Sequence, residues 1–186
     1  NASLAANGSG PIARGRLRRL RRAVDVFGFH LAAIDLRQNS DVHERTVGEI
    51  LETANPGTVY RKLDEEARVR LLLEELRTPR PLVSPFLDYT EETAGELAIV
   101  REAAEAHRRY GPGAVENYII SKADGVSDVL EVALLLKETG LLRPGDGRLA
   151  VNIVPLYETI AALRNDGPEM DRLLGLADYR RLLASR

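Results

Sequence analysis

The chain has 186 residues, of which 44% are hydrophobic and 29% charged, and this is enough for one domain with a sizeable core. Its formal net charge of −2 gives no reason to expect nucleic acid or an anionic membrane as a partner, and its lack of cysteine excludes disulfides and thiol chemistry. The apolar runs are far shorter than the roughly 20 residues of a membrane span, so we expect a cytoplasmic protein.

The amino-terminal part of the chain is small and turn-forming. We interpret residues 1–13 as a flexible lead-in, with 1–2 as a residual tag, inside a single domain of residues 1–186. An amphipathic helical pattern follows from Ile12 to Phe27. The arginines of this helix lie largely off its apolar stripe, and they fit either an anion-binding patch or a solvated helix face.

A short and mostly apolar stretch, Phe29–Leu36, predicts the first buried strand, inside which His30 packs and Asp35 lies. Arg37 and Gln38 follow at its carboxyl end. The planar, permanently charged fork of Arg37 suits a phosphate or a carboxylate, and an ion pair with a neighbouring acid explains it equally well.

Residues 40–110 predict several helices inserted before the next strand. These helices begin near Asp41, near Asp64 and at Thr90, and proline-rich chain separates the last two. His43 lies one turn into the first helix, where it either supports a site or, as the simpler interpretation, lies on the surface.

Two further strands are predicted in the last third of the chain. Glu116–Ser121 is the second strand, and Ser127 is a good N-cap for the helix after it, with Asp128 in the first turn. The run Leu149–Val154 predicts the third strand, and Glu158 follows it. A ligand for a metal or substrate and a favourable interaction with a helix dipole both explain Glu158.

The alternation of strands and helices predicts a helix-rich α/β fold with about three parallel strands. Three strands cannot close a barrel, which takes about eight. The sheet therefore belongs to something larger, or its edges are covered by helices or a second copy of the chain. Because Arg37, Ser121 and Glu158 follow the three strand ends, the sequence predicts a shared site for an anion and a metal.

Three motifs, in a fixed order, carry a resemblance to a known family. They are Phe27–Leu31 continued by Asp35–Ser40 and His43, Tyr118–Ser121 followed by Ser127–Leu130, and Val154–Thr159. Together they resemble the corresponding segments of phosphoenolpyruvate carboxylases, and the match extends from about Ser3 to the end of the chain.

The resemblance implies a TIM barrel elaborated with extra helices, of which this chain is a partial (β/α) segment. It implies a lyase that carboxylates phosphoenolpyruvate with bicarbonate to oxaloacetate and phosphate through a metal-stabilised enolate. Glu158 then corresponds to one of two carboxylate ligands of Mg²⁺ or Mn²⁺, and Arg37 to a catalytic residue that contacts the substrate's anionic end, with Ser121 beside it. Supporting positions fall to four residues: Asp35, Gln38, His43 and Asp128.

The resemblance also implies a longer bacterial-type parent enzyme that forms a tetramer. Its catalytic histidine, second metal carboxylate and substrate-binding loop would lie outside this chain, so the isolated chain is expected to be inactive. Because the sheet has unsatisfied edges and apolar faces when it is removed from a barrel, we expect the isolated chain to form a dimer or to rearrange its helices. Two positions depart from the family pattern, because Lys122 stands where many members have methionine and Asn39 where many have an acid. The alternative function is a non-catalytic helical binding or assembly module whose strand-end residues are structural.

Overall fold

The computed structural model describes residues 2–28, 30 and 32–186. The chain divides into two compact units, one ending at Ala33 and the other comprising Ile34–Arg186, where the sequence predicted a single domain of residues 1–186. Within the described residues, no helix has both the length and the apolar character needed to cross a membrane.

The first unit is helical in its described part. Its helices are α1 (Ala2–Ala6), α2 (Gly10–Arg14) and α3 (Arg16–Phe27). Two of them lie in or overlap the segment 1–13, which was interpreted as a lead-in. The helical pattern predicted from Ile12 is interrupted at Gly15, and its apolar side chains stay more than half exposed at Leu20, Val24 and Phe27.

The second unit is built on a parallel sheet. Its strands are β1 (Ile34–Asn39), β2 (Val115–Ser121), β3 (Leu142–Arg143), β4 (Arg148–Leu149) and β5 (Asn152–Pro155). The parallel strands lie in the order β1-β2-β5, and β3 pairs with β4 as a separate antiparallel hairpin. The predicted helix-rich α/β class with three parallel strands is confirmed.

The second unit also contains six α-helices. They are α4 (Ser40–Ala54), α5 (Glu65–Arg77), α6 (Glu91–Tyr110), α7 (Val126–Glu138), α8 (Ile160–Gly175) and α9 (Ala177–Leu183). Two predicted helix starts are confirmed by side-chain caps. Asp64 accepts a hydrogen bond from the N–H of Ala67 at 2.8 Å, and Thr90 accepts one from Thr93 at 3.4 Å.

The first strand lies later in the chain than predicted, and it is half exposed rather than buried. Arg37 therefore lies inside β1 instead of after it, and His30 lies before the strand; Phe29 and Leu31 are outside the described residues. The reason is the ladder with β2, which continues through polar residues as far as the pair Asn39 and Ser121. Apolar content alone therefore misjudged where the strand begins and ends.

Two predicted helix caps are corrected. The N-cap of α7 is Gly125 rather than Ser127, whose N–H and hydroxyl both donate to the Glu65 carboxylate, at 2.9 and 2.6 Å. Helix α4 begins at Ser40, and Asp41 pairs with Arg45 at 2.8 Å instead of forming a capping box. The Glu65 partner of Ser127 lies 62 residues away in the chain, whereas the Arg45 partner of Asp41 lies four residues away on the same helix.

The predicted third strand, Leu149–Val154, is divided between two sheets. Leu149 ends the hairpin strand β4, and the N–H of Ala150 still donates to the Leu141 carbonyl at 2.7 Å. The chain then crosses over, and β5 pairs with β2 from Asn152 onward. One continuous apolar run thus contributes residues to two separate β-sheets.

Helix α7 forms the centre of the core. Eleven of its thirteen residues are buried, so it has no solvent-facing side. It packs against α4, α5, α6 and α8 and against β3 and β5. Four helices therefore pack around α7, while β1 at the edge of the sheet stays half exposed.

Candidate functional site

The carboxyl ends of the three parallel strands meet at one edge of the sheet. Asn39, the last residue of β1, pairs with Ser121, the last residue of β2, and Pro155 ends β5 beside Ile120. We call this edge the rim and define it by four residues: Arg37, Ser121, Lys122 and Glu158. It lies where ligands bind in parallel α/β sheets.

Arg37 joins the three strand ends. Its Nε donates to Ser121 Oγ at 2.8 Å, and one of its terminal nitrogens lies 3.5 Å from Glu158 Oε1. These partners stand 84 and 121 residues away from Arg37 in the chain. The three residues that the sequence assigned to strand ends are therefore in direct contact, and they form a single site.

The backbone of Lys122 holds the other side of the Glu158 carboxylate. Its N–H donates to Glu158 Oε2 at 2.7 Å, and the Ser40 hydroxyl donates to the Lys122 carbonyl at 2.8 Å. Lys122 has a φ of 57°, a left-handed conformation that costs a non-glycine residue about 1–2 kcal/mol. A strained turn thus aims an N–H at one carboxylate oxygen.

Arg37 and Glu158 are accessible to a ligand. Their side chains are 58% and 41% exposed, and their nearest charged atoms are 3.5 Å apart. An exposed pair of this kind contributes only about 0–1 kcal/mol to stability. The guanidinium can therefore exchange Glu158 for a phosphate or carboxylate at little cost, and the carboxylate is free to bind a cation.

The donor set of the rim fits part of a divalent metal site. A carboxylate oxygen is the ligand type that Mg²⁺ and Mn²⁺ prefer. Among the described residues, no three side chains of histidine, cysteine, aspartate or glutamate come together as a metal cluster. The rim therefore fits a metal that takes one ligand from Glu158 and the others from water, substrate or further protein groups.

Two of the predicted supporting residues stand apart from the rim side chains. Asp35 lies near the start of β1, where its Oδ1 accepts a hydrogen bond from the Asn117 side chain at 2.9 Å. Gln38 donates to Glu96 Oε1 at 2.8 Å and so ties the sheet to α6. Both contacts organise the sheet, and neither residue is hydrogen-bonded to Arg37 or Glu158 in the structure.

His43 is fully buried, so the expectation of a surface position is wrong. Its Nε2 lies 3.0 Å from the Tyr118 hydroxyl, and its Nδ1 has no hydrogen-bond partner in the described residues. Burial lowers the pKa of His43 to about 4, and the imidazole is therefore neutral at pH 7. It braces α4 against β2 behind the rim.

Asp128 stabilises the turn that leads from the rim into α7. Its Oδ2 accepts hydrogen bonds from the N–H groups of Asp124 and Gly125 at 2.7 and 3.1 Å. Burial raises the pKa of this carboxyl, while the two N–H donors oppose the shift. Asp128 therefore acts on the Lys122 turn through the backbone.

The contributions of Ser40 and of the Lys122 backbone were missed by sequence reasoning. Ser40 follows the motif around Arg37 directly, which is a weak signal that its hydroxyl belongs to the same site. The left-handed conformation of Lys122 left no signal, because glycine or asparagine would normally mark such a position.

Comparisons with known proteins cover the whole chain. A family model described as phosphoenolpyruvate carboxylase matches residues 1–186. A phosphoenolpyruvate carboxylase of Azorhizobium caulinodans is 64% identical over 184 residues, which cover 99% of this chain and 20% of that relative. Phosphoenolpyruvate carboxylases of Aromatoleum aromaticum and of Azoarcus sp. are 66% and 62% identical to this chain, which covers 20% of the length of each. The chain thus spans about a fifth of the relatives it matches.

Proposed function

The chain belongs to the phosphoenolpyruvate carboxylase family, and we propose that its rim forms part of the active site of such an enzyme. The proposed reaction joins bicarbonate to phosphoenolpyruvate and yields oxaloacetate and phosphate. The single observation that carries this proposal is the meeting of Arg37 and Glu158 at the carboxyl ends of the strands, 3.5 Å apart. A permanent cation and an exposed carboxylate side by side suit an anionic substrate that binds with a divalent metal.

We assign Arg37 to the anionic end of phosphoenolpyruvate. Its Nε bond to Ser121 fixes the plane of the guanidinium, and the terminal nitrogens remain exposed. A fork held in this way can donate two parallel hydrogen bonds to phosphate or carboxylate oxygens. As negative charge moves onto the departing phosphate, the fixed positive charge of Arg37 stabilises it without rearrangement.

We assign Glu158 as one ligand of Mg²⁺ or Mn²⁺. The bound ion would supply positive charge that stabilises the enolate oxygen left when the phosphate departs. The N–H of Lys122 would keep the carboxylate in place when Arg37 turns to the substrate, because this bond does not involve the guanidinium. Ser40 would act one step further back, because its hydroxyl donates to the Lys122 carbonyl and so holds the turn. Ser121, Asp35, Gln38, His43 and Asp128 would act by positioning these two residues.

The full enzyme would need more than this chain. One carboxylate rarely holds Mg²⁺ firmly, so we propose that the isolated chain is inactive. We further propose a TIM barrel to which β1, β2 and β5 contribute, in a cytoplasmic homo-oligomer. These proposals rest on the family and on the parallel strand order, which suits a continuing barrel.

The test is Glu158→Gln in the full-length protein that contains this chain. The change keeps the shape of the side chain but removes its negative charge, so Mn²⁺ affinity, measured by electron paramagnetic resonance, should fall. The expected decrease is at least about tenfold, because even the loss of a residue that only supports a metal ligand has an effect of this size. Carboxylation should fall with it.

The matched control is Glu116→Gln, an exposed position near the other end of β2, which should change neither quantity. If Glu158→Gln retains both metal affinity and carboxylation, the rim residues are structural. The non-catalytic helical module is then the better description of the chain.

A further inference from the structure

A second concave site lies at the opposite end of the sheet from the rim. It is a cleft of about 510 Å³, lined by Pro112, which lies just before β2, and by Ala150, which lies just before β5. Its charged lining comes largely from α6 and from the β3–β4 hairpin. We call it the arginine cleft after four residues: Arg101, Arg108, Arg143 and Arg148.

Positive charge in the arginine cleft is not balanced by the acid that lines it. That acid is Glu105, which pairs with Arg108 and Arg109 at 2.5 and 2.6 Å. Within the described residues, no carboxylate lies within ion-pair distance of Arg101, Arg143 or Arg148. Three guanidinium groups from three elements therefore share one cleft without a counter-charge.

The register of the β3–β4 hairpin places two of these arginines opposite each other, which is unfavourable without a bound anion. Arg143 and Arg148 are direct partners in the antiparallel pair of β3 and β4. Like charges placed opposite each other in this way destabilise a hairpin. Both side chains are exposed, and the Nε of Arg143 donates a hydrogen bond to the Gly140 carbonyl at 3.3 Å. An anion bound between them would turn the repulsion into attraction.

We propose that the arginine cleft binds a small anion that carries two or more phosphate groups. A single carboxylate has one negative charge and two acceptor oxygens, which are too few to neutralise and hydrogen-bond three guanidinium groups. A diphosphate offers more charge and more acceptor oxygens, and planar guanidinium groups bind these oxygens in pairs. The volume of the cleft suits a small molecule rather than a protein surface.

The proposal is tested by calorimetric titration of inorganic pyrophosphate into the full-length protein in metal-free buffer. All samples carry Arg37→Gln, so that binding at the rim does not contribute. One molecule of pyrophosphate should bind per chain. The double variant Arg143→Ala/Arg148→Ala should weaken binding at least about tenfold, because charge-assisted hydrogen bonds are lost.

The charge-matched control is Arg70→Ala/Arg180→Ala, which removes two exposed arginines that do not line the cleft and form no ion pair with another described residue. Its dissociation constant should stay within about twofold of the parent's, because long-range charge is the only thing that changes. Circular dichroism melting checks that each variant is folded. Equal weakening in both double variants, absence of saturable binding, or tighter binding of malonate than of pyrophosphate would each overturn the proposal.

Discussion

Acid should destabilise the second unit through one buried imidazole, that of His43. Its pKa is lowered from 6.5 to about 4, mainly by burial, so the folded state binds fewer protons than the unfolded state between these values. The stabilising contribution of neutral His43 is therefore complete above pH 6.5 and is lost as the pH falls toward 4. A difference of about 2.5 pH units corresponds to about 3 kcal/mol.

The measurement is urea unfolding at half-unit steps from pH 4 to pH 8. In His43→Leu the acid-dependent loss should shrink by about 3 kcal/mol, although the variant should be less stable at pH 7 because the Tyr118 hydroxyl loses its partner. The double variant His43→Leu/Tyr118→Phe removes that hydroxyl as well, and should show the same flattened profile.

The slope with pH, rather than the absolute stability, is the deciding quantity, because a general loss of packing lowers stability at every pH. His107→Gln is the control, since this ring is only partly buried and bonds to the Val115 carbonyl. An unchanged acid slope in His43→Leu would refute the reasoning and would assign acid sensitivity to other groups.

Two further changes probe buried polar contacts. Lys137→Met should lower the free energy of unfolding by about 1.5–3 kcal/mol, because buried Nζ donates to the carbonyls of Glu75 and Arg80 at 2.8 and 3.0 Å; an unfolding curve that overlays the parent's would contradict this. Tyr60→Phe should lower the free energy of unfolding by about 1–3 kcal/mol, because the Tyr60 hydroxyl donates a hydrogen bond of 2.7 Å to the carboxyl of fully buried Glu131. The measurement is thermal or urea unfolding, and a decrease below about 0.5 kcal/mol would show that stability does not depend on this bond.

Features encoded within a few residues could be read from the sequence. Asp64 and Thr90 start helices because their own side chains accept hydrogen bonds from the first turn. Features set by distant partners could not be read in this way. Ser127 looks like a cap, yet its groups bind Glu65, 62 residues away in sequence. The N-cap of α7 is instead Gly125, which has no side chain that could mark it as a cap.

The candidate site was predictable in its members but not in its geometry. Parallel strands explain why Arg37, Ser121 and Glu158 meet, because their carboxyl ends share one edge. Sequence placed Arg37 after its strand, whereas it extends from within β1 to reach the rim. The bonds from Lys122 and Ser40 depend on backbone angles, which neighbouring residue types did not indicate.

The buried helix α7 connects the core of the second unit to the rim. The helix begins shortly after Lys122 and packs on β5, the strand that leads to Glu158. It therefore sets the spacing between the N–H and the carboxylate that face each other at the rim. In a library of random variants, substitutions at the apolar positions of α7 should consequently appear among the inactive clones, although none of these side chains would touch a substrate.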